Sequence, residues 1–302
     1  LLNMTFKQFN RIVEIRTKII SMGTFACASS YAVVNTHQWS WPRFLVTLAS
    51  VLCIDMGTTG FNSFFDFASG TDIKEYNLEK DKVLVHEGVN PLAALGISLA
   101  LYAIGGALGL LLAYWTSWKL LLAGAVSMAI GFLYTGGPFP ISRTPFGELF
   151  AGGFLGSILF LIAVYVQKLT LNASDVLVSL PFSLLIGLIL TVNNTCDKKA
   201  DIIAGRRTLS ILLSQKTIIK IMKATLILSW GLSILTAALG LLPLLSLPLF
   251  AVSFLLSAKT YHRMQRRGFS LSTKGISMGD ISRIFLLYCL SFVLGNLFAL
   301  LW

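Results

Sequence analysis

The sequence predicts an all-α integral membrane protein, and three observations carry that prediction. Of its 302 residues, 55% are hydrophobic and only 12% charged, against about 25% charged in soluble globular chains. So few charges cannot cover a water-facing surface, and lipid is the expected solvent. Nine apolar stretches, at 19–36, 44–63, 91–114, 119–136, 149–167, 174–195, 218–240, 242–260 and 283–302, approach the length of a membrane-spanning helix. No stretch alternates apolar and polar residues as a barrel strand does.

Residues 1–18 read as a lead-in to a single transmembrane domain that takes up the chain, 1–302. Lys7, Arg11, Arg16 and Lys18 make this lead-in basic and amphipathic, suited to the membrane interface. Leu1-Leu2-Asn3-Met4 lacks the charged region and short apolar core of a signal peptide. The first span is short. The second runs into Asn62-Ser63-Phe64-Phe65-Asp66-Phe67-Ala68-Ser69-Gly70-Thr71-Asp72. After it, residues 74–87 mix charge signs and predict a short surface helix. The fourth span ends in Tyr134-Thr135-Gly136-Gly137-Pro138-Phe139-Pro140, where Gly-Gly-Pro must break the helix. Such irregular backbone at membrane depth is tolerated where protein lines a cavity. The sixth span ends in Asn193-Asn194-Thr195-Cys196-Asp197-Lys198-Lys199-Ala200-Asp201, and the eighth carries Pro243 and Pro248 near its start. Gly105-Gly106 with Gly109, and Gly152-Gly153 with Gly156, are spaced to let helices of the same chain approach closely. The four cysteines have no paired spacing, so neither a disulfide framework nor a zinc site is expected.

Nine spans divide the connections into two sets. All but Arg43, Lys119 and Lys168 of the 24 Lys and Arg residues fall with the N-terminus and the loops after the even-numbered spans. Lys and Arg resist translocation, so that side is expected to be cytoplasmic, with the C-terminus across the membrane. The net charge of +11 then needs no nucleic-acid partner; the bilayer and anionic substrates account for it.

The acids concentrate on the same side. Asn62 and Asp66 are four residues apart, as are Asn193, Asp197 and Asp201, so each set shares a helix face. Stacked carboxylates repel unless a cation lies between them. Oxygen donors of this kind suit Mg²⁺, which shares its coordination with substrate phosphates. Two such faces at one depth predict a clamp on a diphosphate. Asp66, Asp197 and Asp201 are its expected catalytic and metal-holding residues. Asn62, Asn193, Lys198, Arg143, Arg206 and Arg207 are the expected diphosphate contacts. Asp55 lies deeper in the second span, seven residues before Asn62 and on nearly its face, with no role that spacing assigns. None of His37, His86 and His262 presents itself as a general base.

These segments resemble the UbiA superfamily of intramembrane aromatic prenyltransferases. The resemblance rests on Arg16-Thr17-Lys18, Asn62 to Asp72, Tyr134 to Pro140, Gly147-Glu148, and Asn193 through Gly205-Arg206-Arg207-Thr208-Leu209. It implies nine helices around a central cavity, a cytoplasmic cap and a lateral opening for a prenyl tail. It also implies transfer from a polyprenyl diphosphate to an aromatic acceptor with Mg²⁺ as cofactor, in a bacterial inner membrane, and it adds Asp72 to the catalytic, metal-holding acids and Asn194 and Lys18 to the diphosphate contacts. The acceptor it implies is 1,4-dihydroxy-2-naphthoate, prenylated with loss of CO₂. Hydroxybenzoate, homogentisate or haem is the alternative within the class, and a transporter the alternative outside it. Ser63 stands where the family often has Asp, so the first motif carries less charge. Arg143, where relatives can have an aromatic residue, is the expected compensating phosphate contact. Tyr134 and Phe65 are the candidates to shelter an allylic cation.

Overall fold

The described residues of the computed structural model, 4–36, 39–70 and 82–300, are helical almost throughout. Several helices begin where the sequence supplies a cap. Ser40 accepts from the Arg43 N–H at the start of α2 (Trp41–Ala68), with Pro42 in the first turn. Asn90, followed by Pro91, caps α3 (Pro91–Trp115), and Ser117 caps α4 (Trp118–Leu133). Both devices satisfy amide groups that the first turn leaves over. Before these comes α1 (Ile19–Asn35); after them come α5 (Gly147–Lys168) and α6 (Ala173–Cys196). Ser214 caps α7 (Gln215–Ala238), and α8 (Ser246–Arg267) and α9 (Lys274–Ala299) complete the chain.

Six of these helices, α2, α3, α5, α6, α7 and the C-terminal α9, are long and apolar enough to cross a membrane. The other three expected spans fall short of that measure. At 17 and 16 residues, α1 and α4 are brief. α8 occupies Ser246–Arg267 instead of the expected 242–260, because Pro243 cannot lie inside a helix while Pro248 is tolerated in a first turn. The displaced helix then runs into Lys259, Arg263, Arg266 and Arg267. Residues 71–81 lie outside the described ones, so the surface helix expected over 74–87 is seen only as Val83–His86.

Successive helices pack as antiparallel neighbours, most closely α2 on α3, α8 on α9 and α6 on α7. α1 threads between the halves, touching α5, α9 and α2. The main core lies among α1 and α5 to α9, where Trp230, Tyr288, Phe182, Phe250 and Phe292 are buried and mutually edge-on or stacked. The glycine spacings serve packing within the chain. A Cβ on Gly105 would strike Ile54 and the Ser50 carbonyl of α2, and one on Gly152 or Gly156 would strike the Ser183 backbone of α6. Residues Gly153–Ile158 form a wider helical turn, which seats α5 against α6. Gly156→Ala is therefore expected to cost about 1–3 kcal/mol as the helices are forced apart. Gly153→Ala, which meets nothing within 4 Å, should leave the thermal midpoint in detergent unchanged or higher.

The basic lead-in is a helix, Phe6–Ile12, closed by a Thr5–Gln8 capping box. It docks through Arg11 and Gln8 on Glu87, through Lys82 on Glu14 at 3.0 Å, and by burying Ile12 and Val13. Ser63 completes this junction by donating to the Ile12 carbonyl at 3.0 Å.

Candidate active site

Two acids at helix ends begin the site. Asp66 lies in the last turn of α2, where the helix dipole disfavours an anion by about 0.3–1 kcal/mol, and Asp197 stands at the break between the C-terminus of α6 and the short helix that follows. Each is met by a cation from far along the chain. Arg206 Nη2 donates to Asp66 Oδ1 at 3.2 Å, while its Nη1 donates to Asp201 Oδ1 at 3.3 Å. One guanidinium thus joins the two motifs. Lys274 Nζ donates to Asp197 Oδ2 at 2.7 Å. Asp201 stands on the next short helix, Lys198–Ile203, whose amide donates to the Asp197 carbonyl. It is 4% exposed, and its Oδ2 has no hydrogen-bond partner among the described residues. Burial pushes its carboxyl up to about 6, with Asp197 and Asp66 adding to the rise and Arg206 and Lys274 opposing it.

An apolar cavity of about 510 Å³ opens beside this cluster. Asn62 and Tyr134 line its polar end. Its walls come mainly from α2, α3, α4 and α5, including Ile54, Met128, Phe150 and Phe154, and Lys18 and Asp55 are also on the lining. α4 packs on α3 and α2, and faces α5 across the cavity. The lining runs along α2 from Thr47 to Asn62, about 22 Å at 1.5 Å per residue. Asn62 accepts from the Thr135 hydroxyl at 2.6 Å, which fixes the Tyr134–Pro140 turn to α2. The Tyr134 hydroxyl lies within electrostatic reach of Glu148, Arg206 and Asp66.

The remaining expected residues divide. Asn193 is half-buried on the Asp197 face, and its carbonyl accepts from the Asp197 amide. Arg207 is exposed; its N–H donates to the Arg143 carbonyl at 2.8 Å, bringing the loops after α4 and α6 together. Asn194 is turned away, donating to Glu148 Oε1 at 2.9 Å. Lys198 donates to the Leu213 carbonyl at 3.2 Å. Lys18 is buried against Asp55, at 2.8 Å, and Thr59, with Ser21 donating to the other Asp55 oxygen. That pair gives Asp55 the partner that spacing could not name. Phe65 packs on Phe132, Phe64 and the Gly136 turn and is not on the cavity wall. In its place Phe150 and Phe154, stacked at an interplanar angle of 3°, present aromatic faces there. Asp72 lies outside the described residues. Ser63 faces Ile12, so an acid there would meet a carbonyl oxygen at the lead-in junction.

Among the described residues, no three His, Cys, Asp or Glu side chains converge into a complete metal site. The donor set nevertheless fits a hard cation. All its ligating atoms are carboxylate oxygens, Asp201 Oδ2 is buried and unmatched, and Mg²⁺ leaves several positions to water and phosphate.

Comparison with known proteins agrees with this architecture. A Bacillus subtilis protein named 1,4-dihydroxy-2-naphthoate octaprenyltransferase is 41% identical over 182 residues, covering 60% of this chain and 58% of its own. A Mycobacterium tuberculosis protein of the same name is 27% identical over 186 residues, covering 62% and 63%. The chain thus spans about three-fifths of the length of these relatives. The solved structure of a UbiA homologue from Archaeoglobus fulgidus bound to GPP and Mg²⁺ superposes with a TM-score of 0.68. That match covers 95% of this chain and 99% of the other at 14% identity, and shows the shared fold. The model of the UbiA prenyltransferase family matches residues 22–270, and the chain belongs to that family.

Proposed function

We propose that this protein transfers a polyprenyl group from polyprenyl diphosphate to 1,4-dihydroxy-2-naphthoate, releasing CO₂ and diphosphate and giving demethylmenaquinol. The observation that carries the reading is Arg206 holding Asp66 and Asp201 of two distant motifs together beside a long apolar cavity. A charged head and a polyprenyl tail need those two environments next to each other. The names of the bacterial relatives support the naphthoate acceptor, and the GPP and Mg²⁺ of the archaeal homologue support the diphosphate and the metal. Residues 1–302 are read as one transmembrane prenyltransferase domain. The positive bias supports a cytoplasmic side for the acids and the N-terminus, with the C-terminus across the membrane.

Asp66, Asp197 and Asp201, with Asp72, would hold Mg²⁺, which supplies positive charge to the departing diphosphate. Arg206 lies between the motifs, where its guanidinium meets charge developing on the leaving oxygens. Arg207 and Arg143 are joined through their main chains on the loops after α6 and α4, and Asn193 lies one turn before Asp197. The allylic C–O bond breaks with its electron pair going to the diphosphate. Tyr134, Phe150 and Phe154 face the resulting cation with aromatic surface and keep water from it. The acceptor carbon bearing the carboxylate then bonds to the cation. As CO₂ leaves, the electron pair of the broken C–C bond returns to the ring, so no external base is required.

A product assay tests this reading. Purified protein in detergent receives an allylic diphosphate, Mg²⁺ and, in parallel, dihydroxynaphthoate or hydroxybenzoate, with mass spectrometry as readout. Prenylated, decarboxylated naphthoquinol that vanishes with EDTA is the expected outcome. Product from hydroxybenzoate alone would overturn the acceptor, and folded protein inactive with every acceptor would overturn the reaction.

A further inference from the structure

Lys274 is the first residue of α9, the end at which a helix dipole repels a cation. Gly268, at φ 80°, ends α8, and the Ser270–Thr273 turn brings the start of α9 back to the end of α6. From there Lys274 reaches Asp197 across 77 residues of sequence, and the two side chains are only 16% and 17% exposed. Asp197 is itself an anion at a helix C-terminus. Lys274, a cation unfavourable at its own helix start, is thus held against the acid that closes α6 and opens the Lys198–Ile203 helix. A residue set against its local preference without a local gain marks a functional position.

The surrounding acids are occupied in the same manner. Arg206 takes Asp66 and one oxygen of Asp201, and the second, buried Asp201 oxygen has no partner among the described residues. Side-chain cations thus stand on the carboxylates that a divalent ion needs, while one buried acceptor is left for it. An ion arriving alone must displace a seated ammonium. An ion arriving with a diphosphate gives that ammonium another anion to bind.

We propose that Lys274 is a resident counter-cation of the second acidic motif, which holds Asp197 in the cation-free protein and turns to the diphosphate when a divalent ion takes that carboxylate. The proposal rests on the metal–diphosphate reading of the site. It assigns a diphosphate contact to α9, an element that carries neither acidic motif, and it makes metal and diphosphate binding mutually reinforcing.

Mn²⁺ binding measured by electron paramagnetic resonance, with and without inorganic pyrophosphate, tests it on the full chain in detergent. Wild-type protein should bind Mn²⁺ weakly alone and at least about tenfold more tightly with pyrophosphate. In Lys274→Gln the affinity for Mn²⁺ alone should rise about tenfold and the pyrophosphate enhancement should largely disappear. A merely structural lysine would leave the metal affinity unchanged or lower it, and either result overturns the proposal. Lys274→Arg, which preserves charge and folding, should move the other way. Its two-pronged grip on Asp197 should weaken Mn²⁺ binding alone by about threefold, and an unchanged value would count against the proposal. If wild type itself shows no Mn²⁺ binding with pyrophosphate, the metal–diphosphate reading fails first, which separates that failure from a wild type that binds and variants that match it.

Discussion

Asp197→Asn is expected to lower turnover at saturating substrates by about 10²–10³-fold or more, the loss seen when one preorganised group at a developing charge is removed. The substitution preserves the shape and volume of the side chain, and the fold around it is held by the backbone contacts of the Lys198–Ile203 helix. What disappears is a formal charge and a hard oxygen donor. Lys274 is then left against a neutral amide, and the leaving diphosphate loses part of its metal site. Asp66→Asn should behave alike, since Asp66 is the acid of α2 that meets Arg206. The comparison that gives this result meaning is Asp280→Asn. Asp280 is also paired, to Arg267 at 2.7 Å at the α8–α9 junction, but outside the cluster. Its replacement should leave turnover within about twofold, because the pair lies outside the acidic cluster and touches no substrate. Steady-state rates on the three variants, each checked for a normal melting transition, decide the matter.

The largest loss of stability is expected from Asp175→Ala, at about 3–5 kcal/mol. Asp175 is fully buried at the far ends of α5 and α6. It accepts from the Tyr31 hydroxyl at 2.9 Å, from Lys168 Nζ at 2.8 and 3.0 Å, and from the Asn172 amide at 2.8 Å. The carboxylate closes the α5–α6 loop, where Leu169 adopts a positive φ of 62°, and ties it to α1. Removing it leaves the Lys168 ammonium, 11% exposed, without its counter-charge. Breaking one side of such a pair costs far more than the pair is worth. The readout is the thermal midpoint in detergent, with Asp175→Asn falling between wild type and Asp175→Ala. Protein that does fold should retain its turnover, because α5 and α6 carry Asp175 at one end and Glu148 and Asp197 at the other.

The parts of the fold that were legible in the sequence are those set by local periodicity. Apolar runs located the helices, and a spacing of four set Asn193, Asp197 and Asp201 one turn apart, although the helix breaks at Asp197 and Asp201 stands on the next one. The glycines that seat α5 on α6 were legible for the same reason, since Gly152 and Gly156 lie a turn apart. What spacing could not supply was the partner of each charge. Lys18 and Lys198 carry the same formal charge as Arg206 and Lys274, yet the first two end on Asp55 and a backbone carbonyl while the second two end on the motif acids. Those choices are made by contacts across tens of residues. Asn194 illustrates the angular limit. One residue from Asn193 is about 100° around the helix, enough to turn it from the Asp197 face onto Glu148. Phe65 fails likewise, lying near the motif in sequence but within the α2–α4 aromatic packing. The α8 boundary moved because two prolines override apolarity at a helix start.

The hydrogen bond from the Arg207 amide to the Arg143 carbonyl joins main chain to main chain. It is therefore indifferent to which side chains these positions carry, short of a proline at 207, which would delete the donor. The Ser142 amide, bonded at 2.8 Å to the Tyr134 carbonyl, closes the first of the two loops on itself. Mechanically, the pair is a strut: a displacement imposed on the segment after α6 is handed to the segment after α4. Side chains at either loop can then change while the main-chain link between the two segments stays in place.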